Sequence, residues 1–266
     1  MGILNVTPDS FSDGGRFFSV DAAVGHAIAM IDEGADIVDV GGESTRPQGA
    51  SETSEDEERR RVLPVIERLA HERPDAVISI DTVKSGVARA ALDAGAHIVN
   101  DVSGLRLDPV IAPLCAERGA GLVLMHSRGN VSEMGTFTYA HYEDVVEEVL
   151  RELRHSVETA RASGVTDDHI VIDPGIGFAK RSEHSLAVLA ALPELEVLGL
   201  PMVVGLSRKR FIGEITGARE PTARLSGTVG ANVAALALGA RIFRVHDVRE
   251  NRQALDVGWR ILWSKK

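Results

Sequence analysis

Cysteine is almost absent from this 266-residue chain, which contains only Cys115. An internal disulfide framework is therefore excluded. Cys115 sits in the apolar run Val110–Cys115, with no basic residue in a supporting motif beside it, and is expected to be a core thiol rather than a nucleophile. Positive charge is also short. Twenty-nine Lys and Arg face 39 Asp and Glu, a formal net charge of −10. No nucleic acid and no membrane surface is expected as a partner, so any anionic ligand must be captured by local basic groups. Long apolar runs are missing as well. The longest uncharged segment, 225–240, is shorter than the roughly 20 residues of a membrane span. Asn5, Asp9 and Asp13 interrupt the opening residues and no basic leader precedes them, so a soluble, cytoplasmic chain is expected. There is no Walker loop, no HExxH and no zinc-type Cys/His spacing. The stretch Gly175–Lys180 lacks the third glycine and the acidic partner of a dinucleotide fingerprint.

What is present is ordinary globular material, 44% hydrophobic and 26% charged. Eight short β-rich runs recur, each followed by a helical stretch: Gly2–Val6, Ile37–Gly42, Val77–Asp81, Ile98–Val102, Gly121–His126, Ile170–Asp173, Met202–Ser207 and Arg241–Val245. Several are nearly continuous apolar runs, as parallel strands covered on both faces require. Between them lie helix signals. Ser19 is placed to cap a helix with the apolar face Val24, Ala27, Ile28 and Ile31, stopped by Gly34. Residues 54–69 turn from acidic to basic, offering Glu55–Arg59, Asp56–Arg60 and Glu57–Arg61 as pairs on a solvated helix face. Val149, Leu153, Val157 and Ala160 trace another apolar stripe. Eight βα units without a composition break predict a single-domain α/β chain, residues 1–266, closed as a (β/α)8 TIM barrel. Its active site belongs at the C-terminal face of the strands.

The strand ends are unusually polar. Asn5, Asp81, Asn100 with Asp101, His126, Asp173, Ser207-Arg208-Lys209, Arg244 and His246 all fall there. Burying one unpaired carboxylate or amide costs several kcal/mol. A whole set converging on one axis is most economically explained by a shared ligand. Carboxylates accept paired N–H donors from a guanidinium-like ring edge, and Asn100 offers both donor and acceptor. Lys209 suits a ring carbonyl. Arg46, Arg208, Arg244 and His246, with Asn5, suit an anion. A flat polar heterocycle carrying a phosphate-like group would satisfy the set.

At these residues the chain resembles the dihydropteroate synthase family of pterin-binding, folate-pathway enzymes. The matching segments are Met1–Gly15, Gly41–Pro47, Ser79–Thr82, Asn100–Gly104, Leu124–His126, Asp173–Phe178, Ser207–Lys209 and Arg244–Asp247, in family order over nearly the whole chain. The resemblance implies a transferase, the target of sulfonamides, that joins 6-hydroxymethyl-7,8-dihydropterin diphosphate to p-aminobenzoate. The products are 7,8-dihydropteroate and pyrophosphate, with magnesium (Mg2+) as cofactor. It further implies that Asp81, Asn100, Asp173 and Lys209 hold the pterin ring and that Met125 and Gly205 line its pocket. Arg244 would stack on the ring and, with Asn5 and His246, bind the diphosphate. Asp81, Lys209 and Arg244 would carry the catalysis, and Asn5 would ligate the metal. Thr45, Arg46 and Pro47, with Phe178 and Ser207, would shape the aminobenzoate and diphosphate subsites. Asp9, Phe11 and Asp13 belong to a first loop that, with residues 44–53, would close over the diphosphate. A homodimer is the family expectation.

Some features depart from the family pattern. The chain begins directly at the first strand, Gln48 adds a residue after Arg46-Pro47, and Ser127 and Ala179 replace the more usual methionine and glycine. These two replacements are expected to alter packing rather than chemistry. Two other readings share the pterin grip: a corrinoid-linked methyltetrahydrofolate methyltransferase domain, and a catalytically silent pterin-binding paralogue. The diphosphate-type motifs at Ser44–Pro47, Ser207–Lys209 and Arg244–His246 argue against the first, and the intact first loop with Arg46 against the second.

Overall fold

The computed structural model describes residues 1–7, 19–43 and 53–264. Strands and helices alternate in chain order: β1 (Gly2–Asn5), α1 (Val20–Asp32), β2 (Ile37–Gly41), α2 (Glu55–Glu72), β3 (Val77–Asp81), α3 (Ser85–Asp93), β4 (Ile98–Asp101), α4 (Ile111–Arg118), β5 (Gly121–Met125), α5 (Val145–Ala162), β6 (Ile170–Asp173), α6 (Ser182–Ala190), α7 (Leu192–Leu195), β7 (Val203–Val204), α8 (Arg210–Thr216), α9 (Leu225–Ala237), β8 (Ile242–Phe243) and α10 (Val248–Trp263). Strands β1 to β6 form a parallel sheet in sequential order, and β7 pairs with β8. Parallel bridges Ile172–Met202 and Gly2–Val245 join that pair to both edges of the larger sheet. The eight strands therefore close into a ring. This is the expected α/β barrel, with β7 and β8 shorter than their apolar runs.

Alternation along the strands separates two environments. Leu4, Val38, Val40, Ile78, Ile80, Val99, Leu122, Leu124 and Ile172 are fully buried between the ring and the helices. The other face points to the barrel axis, where register decides what meets. Asn5 lies beside Gly41, Gly41 beside Asp81, and Asp81 beside Asn100. Two residues lower, Asp39 lies beside Ile3 and Ser79. In parallel pairing, registered residues share a face. The polar strand ends are thus delivered to one level of the axis.

The helices form where their caps and stripes predict. The Ser19 hydroxyl accepts from Ala22 N at 3.2 Å, and the Ser54 hydroxyl from Glu57 N at 3.3 Å. Helix α2 continues through Pro64, which costs about 3 kcal/mol inside a helix. Buried Val62, Val65, Ile66 and Leu69, each contributing about 1.5–3 kcal/mol, outweigh that loss. The charge run of α2 differs from expectation at two points. Arg60 pairs with Glu57 rather than Asp56. Glu58 is not solvated but fully buried, accepting from Lys84 Nζ at 2.6 Å. The same ammonium donates to Glu43 at 2.9 Å. Cys115 is buried, and burial pushes its thiol up to about 12. Among the described residues no helix is long and apolar enough to cross a membrane.

The loop from β6 to α6 carries strain. Gly175 and Gly177 have φ of +66° and +78°, and a Cβ on Gly175 would overlap the His126 carbonyl. Ala179 also lies in the left-handed region, at φ +46°. An alanine there costs roughly 1 kcal/mol relative to glycine. We predict that Ala179→Gly stabilises the protein by about 1 kcal/mol and raises Tm by about 2–4 °C. Thermal melting checks this, and an unchanged Tm would show that Ala179 bears no strain.

Candidate active site

The ring opens at the C-terminal ends of its strands into a cavity of about 780 Å³. Every predicted site residue within the described segments lines it: Asn5, Asp81, Asn100, Met125, Asp173, Phe178, Gly205, Ser207, Lys209, Arg244 and His246. Asp9, Phe11, Asp13, Thr45, Arg46 and Pro47 lie outside the described residues.

Arg244, just past β8, organises the floor. Its Nε donates to Asp39 Oδ2 at 2.6 Å and its Nη2 to Asp81 Oδ2 at 2.7 Å. Asn100 Nδ2 donates to the same Asp39 oxygen at 3.0 Å. Burial alone would lower the guanidinium's pKa, but Asp39 and Asp81 outweigh it and hold it raised. One cation serves two carboxylates, so a negative charge remains in excess. Burial and the neighbouring Asp39, Glu58 and Glu43 push Asp81 up to about 7 against the pull of Arg244. Asp81 is therefore an unusually basic carboxylate at the mouth of an apolar-walled ring.

A second group gathers between β6 and β7. Asp173 Oδ1 accepts from Gly175 N at 2.7 Å, which fixes the carboxylate at the strand end. Lys209 Nζ lies 4.1 Å from the centre of the Phe178 ring, a cation–π contact. A Cβ on Gly177 would stand 3.1 Å from Lys209 Cδ, so glycine there permits the ammonium its place. Burial pushes Lys209 down to about 8, although Asp173 favours its charged form. Ser207 Oγ and His246 Nδ1 are 2.9 Å apart, and His246 N donates to the same hydroxyl at 3.2 Å.

Three residues of the polar strand-end set are used differently. Asp101 faces away from the axis. Its carboxylate accepts from Ser103 N, Ser103 Oγ and Leu105 N at 2.6–2.7 Å and so shapes the turn after β4. His126 lies behind the cavity wall, between Lys180 and Glu152. The Arg208 guanidinium is engaged by Asp247 through two bonds of 3.1 and 2.6 Å, rather than offered to an anion.

This arrangement has close counterparts. The family model described as pterin binding enzyme matches residues 1–246. The chain belongs to that family. It is 50% identical over 262 residues to the dihydropteroate synthase of Mycobacterium leprae, covering 97% of this chain and 91% of that one. A structure of Xanthomonas albilineans dihydropteroate synthase with 4-aminobenzoic acid superposes with a TM-score of 0.91 at 45% identity, covering 100% of this chain and 93% of that chain. The same enzyme in complex with 7,8-dihydropteroate gives a TM-score of 0.88 at 43% identity, with the same coverage.

Within this pterin-binding frame, three cavity or near-cavity residues escape a reading of strand ends. Asp39 is fully buried in mid-strand. Its signal was a carboxylate breaking Ile37-Val38-Asp39-Val40-Gly41 at an inward position. Lys180 is 2% exposed yet reaches the cavity wall, and burial pushes it down to about 7. Phe137, from the long loop after β5, lines the cavity under Arg210, whose guanidinium is 4.2 Å from the ring centre. No local pattern marks Phe137.

Removing one partner of a buried ion pair typically costs about 3–5 kcal/mol. Asp39→Ala is therefore expected to lower the unfolding free energy by about that amount, because Arg244 and Asn100 both lose an acceptor. Asp39→Asn, which keeps the shape, should cost less. Urea denaturation of the two variants measures the difference, and equal, small losses would show that the Asp39 charge is dispensable.

Proposed function

We infer that this chain is a transferase condensing 6-hydroxymethyl-7,8-dihydropterin diphosphate with p-aminobenzoate, with release of pyrophosphate. The observation that carries the reading is the cavity at the strand ends, where the ring-binding and anion-binding residue types come together. In this reading Asp81, Asn100, Asp173 and Lys209 take the polar edges of the pterin, and Met125 and Gly205 line its faces. Arg244 lies flat against the ring while its own donors remain on Asp39 and Asp81. Asn5, His246 and Arg244 receive the diphosphate. Phe178 and Ser207, with Thr45, Arg46 and Pro47, border the aminobenzoate.

The charge balance favours a dissociative substitution. The carbon–oxygen bond to the diphosphate breaks first, and both electrons leave with pyrophosphate. Positive charge develops on the pterin methylene and spreads into its electron-rich ring. With Asp81 ionised, the surplus negative charge of the Asp39–Arg244–Asp81 group is complementary to that cation, and it is in place before the bond breaks. The amine of p-aminobenzoate then forms the carbon–nitrogen bond and sheds a proton. A weak aniline nucleophile at a cationic carbon needs positioning more than a strong base.

Among the described residues no cluster of three or more His, Cys, Asp or Glu could hold a metal. Mg2+ rarely needs one, since substrate phosphates and water usually complete its octahedron. Asn5, on the cavity wall, fits as a single neutral oxygen ligand. Bound through the diphosphate, Mg2+ would neutralise charge on the leaving group. The same reading includes a homodimer, which sedimentation would detect as twice the chain mass.

Pyrophosphate release is expected to require the pterin diphosphate, p-aminobenzoate and Mg2+ together, and to collapse in Lys209→Ala. Tight pterin binding without release would favour the silent paralogue instead. Asp81→Asn should lower kcat by about 10²-fold or more if the carboxylate stabilises the cation; unchanged turnover would remove that role. The depressed Lys209 pKa also predicts a sign. The ammonium donates to the ring below about pH 8 and loses its charge above it. Pterin affinity should therefore fall as pH rises through that region, and in Lys209→Met titration calorimetry should find the fall absent.

A further inference from the structure

Behind the cavity wall lies a chain of five ionisable side chains that the reaction above does not use. Lys180 Nζ stands 2.7 Å from His126 Nδ1. His126 Nε2 stands 3.0 Å from Glu152 Oε2. Glu152 is paired with Arg128, and Arg128 reaches Glu148 at 2.7 Å. Burial pushes the imidazole down to about 4, so it is neutral near pH 7. Its Nδ1 then accepts from the lysine, and its Nε2–H donates to Glu152. The order of donors and acceptors is thereby set along the whole chain.

At its inner end the same ammonium donates to two backbone carbonyls, Gly175 O at 3.1 Å and Phe178 O at 3.2 Å. These bracket the strained left-handed loop. The loop's far side is braced too: Ala179 N donates to Met134 O at 2.7 Å, and Tyr142 Oη to Ala179 O at 3.0 Å. The Phe178 ring carries the Lys209 ammonium, and Gly177 leaves the space that Lys209 occupies. Burying an ammonium is costly unless it is fully hydrogen-bonded. Here two of its three donors end on the carbonyls that bracket the Phe178 turn, and the third ends on His126.

We propose that Lys180 is a positioning residue: braced by His126, Glu152 and Arg128, its ammonium clamps the Gly175 and Phe178 carbonyls and so holds the Phe178–Lys209 pair in register with the bound pterin. It touches no reacting atom. It acts through Phe178 and, beyond it, Lys209. The proposal rests on the pterin-site reading given above.

A double-mutant cycle tests it, because residues that act through one another are non-additive whereas independent defects add. The probe is 6-hydroxymethylpterin, titrated calorimetrically into the full chain well below the Tm of each variant. Lys180→Met should weaken binding about tenfold in the parent, but less than about twofold when Phe178 is already Ala. A merely structural role would lower Tm and the bindable fraction while leaving Kd unchanged, or would weaken both backgrounds equally; either result overturns the proposal. If Lys180→Met does not fold, Glu152→Gln decides. It removes the carboxylate charge between His126 and Arg128 while keeping an acceptor for His126. A weakening of about threefold in the parent and none in the Phe178→Ala background is expected, and an unchanged Kd in the parent overturns the proposal. Failure of the parent to bind the pterin would defeat the site reading itself and the proposal with it. A parent that binds beside an unperturbed Lys180→Met would defeat only the proposal.

Discussion

The sharing of one guanidinium between two buried carboxylates is the constraint on which the rest of the site depends. Arg244 comes from just past the last strand, Asp39 from the second and Asp81 from the third. They meet only because β8 returns to β1 through the Gly2–Val245 bridge. A ring left open there would expose the guanidinium to water and dissolve most of its electrostatic advantage, since exposed ion pairs contribute little. Closure and charge therefore support each other. The ring buries Asp39 and leaves Arg244 and Asp81 only partly exposed at the cavity, and the group supplies the polar satisfaction that a buried axis demands.

The unequal count of charges gives the floor its chemistry. A matched pair would be electrostatically quiet. Two carboxylates on one guanidinium leave a standing negative field, which adds to burial in raising the pKa of Asp81. Such a field discriminates against anionic ligands at the floor and favours a group that becomes cationic. The chain's overall charge of −10 strengthens that preference. Any anionic group must then be drawn in by local cations, against the sign of the molecule as a whole. The loop between β6 and α6 serves the same end by different means. Two left-handed glycines and a left-handed alanine bring backbone close to Lys209 and to the His126 carbonyl. Backbone strain of this kind persists where surrounding bonds over-determine it.

Most of the architecture was legible beforehand. Six of the eight apolar runs became strands within a residue of the expected bounds, because a parallel strand covered on both faces must be apolar almost throughout, while the last two runs kept only short strands. The site was legible wherever a polar residue ended such a run, as at Asn5, Asp81, Asn100 and Asp173. It was misleading where that residue faces the wrong way. Asp101 follows Asn100 by one position, and strand alternation alone sends it outward into a turn. His126 ends its strand but lies behind the wall. Glu58 belongs to a run that looks solvated and is buried, where Lys84, just before α3, meets it. The outcomes at His126 and Glu58 cannot be derived from local spacing, since each depends on a partner distant in the chain.

The sequence by itself determined the eightfold βα alternation, the face on which a site must lie, the residue types available to it and the family motifs they compose. Those are properties of local pattern: hydrophobic period, caps, and polar residues placed at strand ends. Tertiary structure alone decided which charges meet. It paired Arg244 with Asp39 across 205 positions and with Asp81 across 163, and it set Lys180 against His126 across 54. The physical reason is that electrostatic and hydrogen-bond energies depend on distance and burial in space, and neither is defined until the ring has closed and expelled the water.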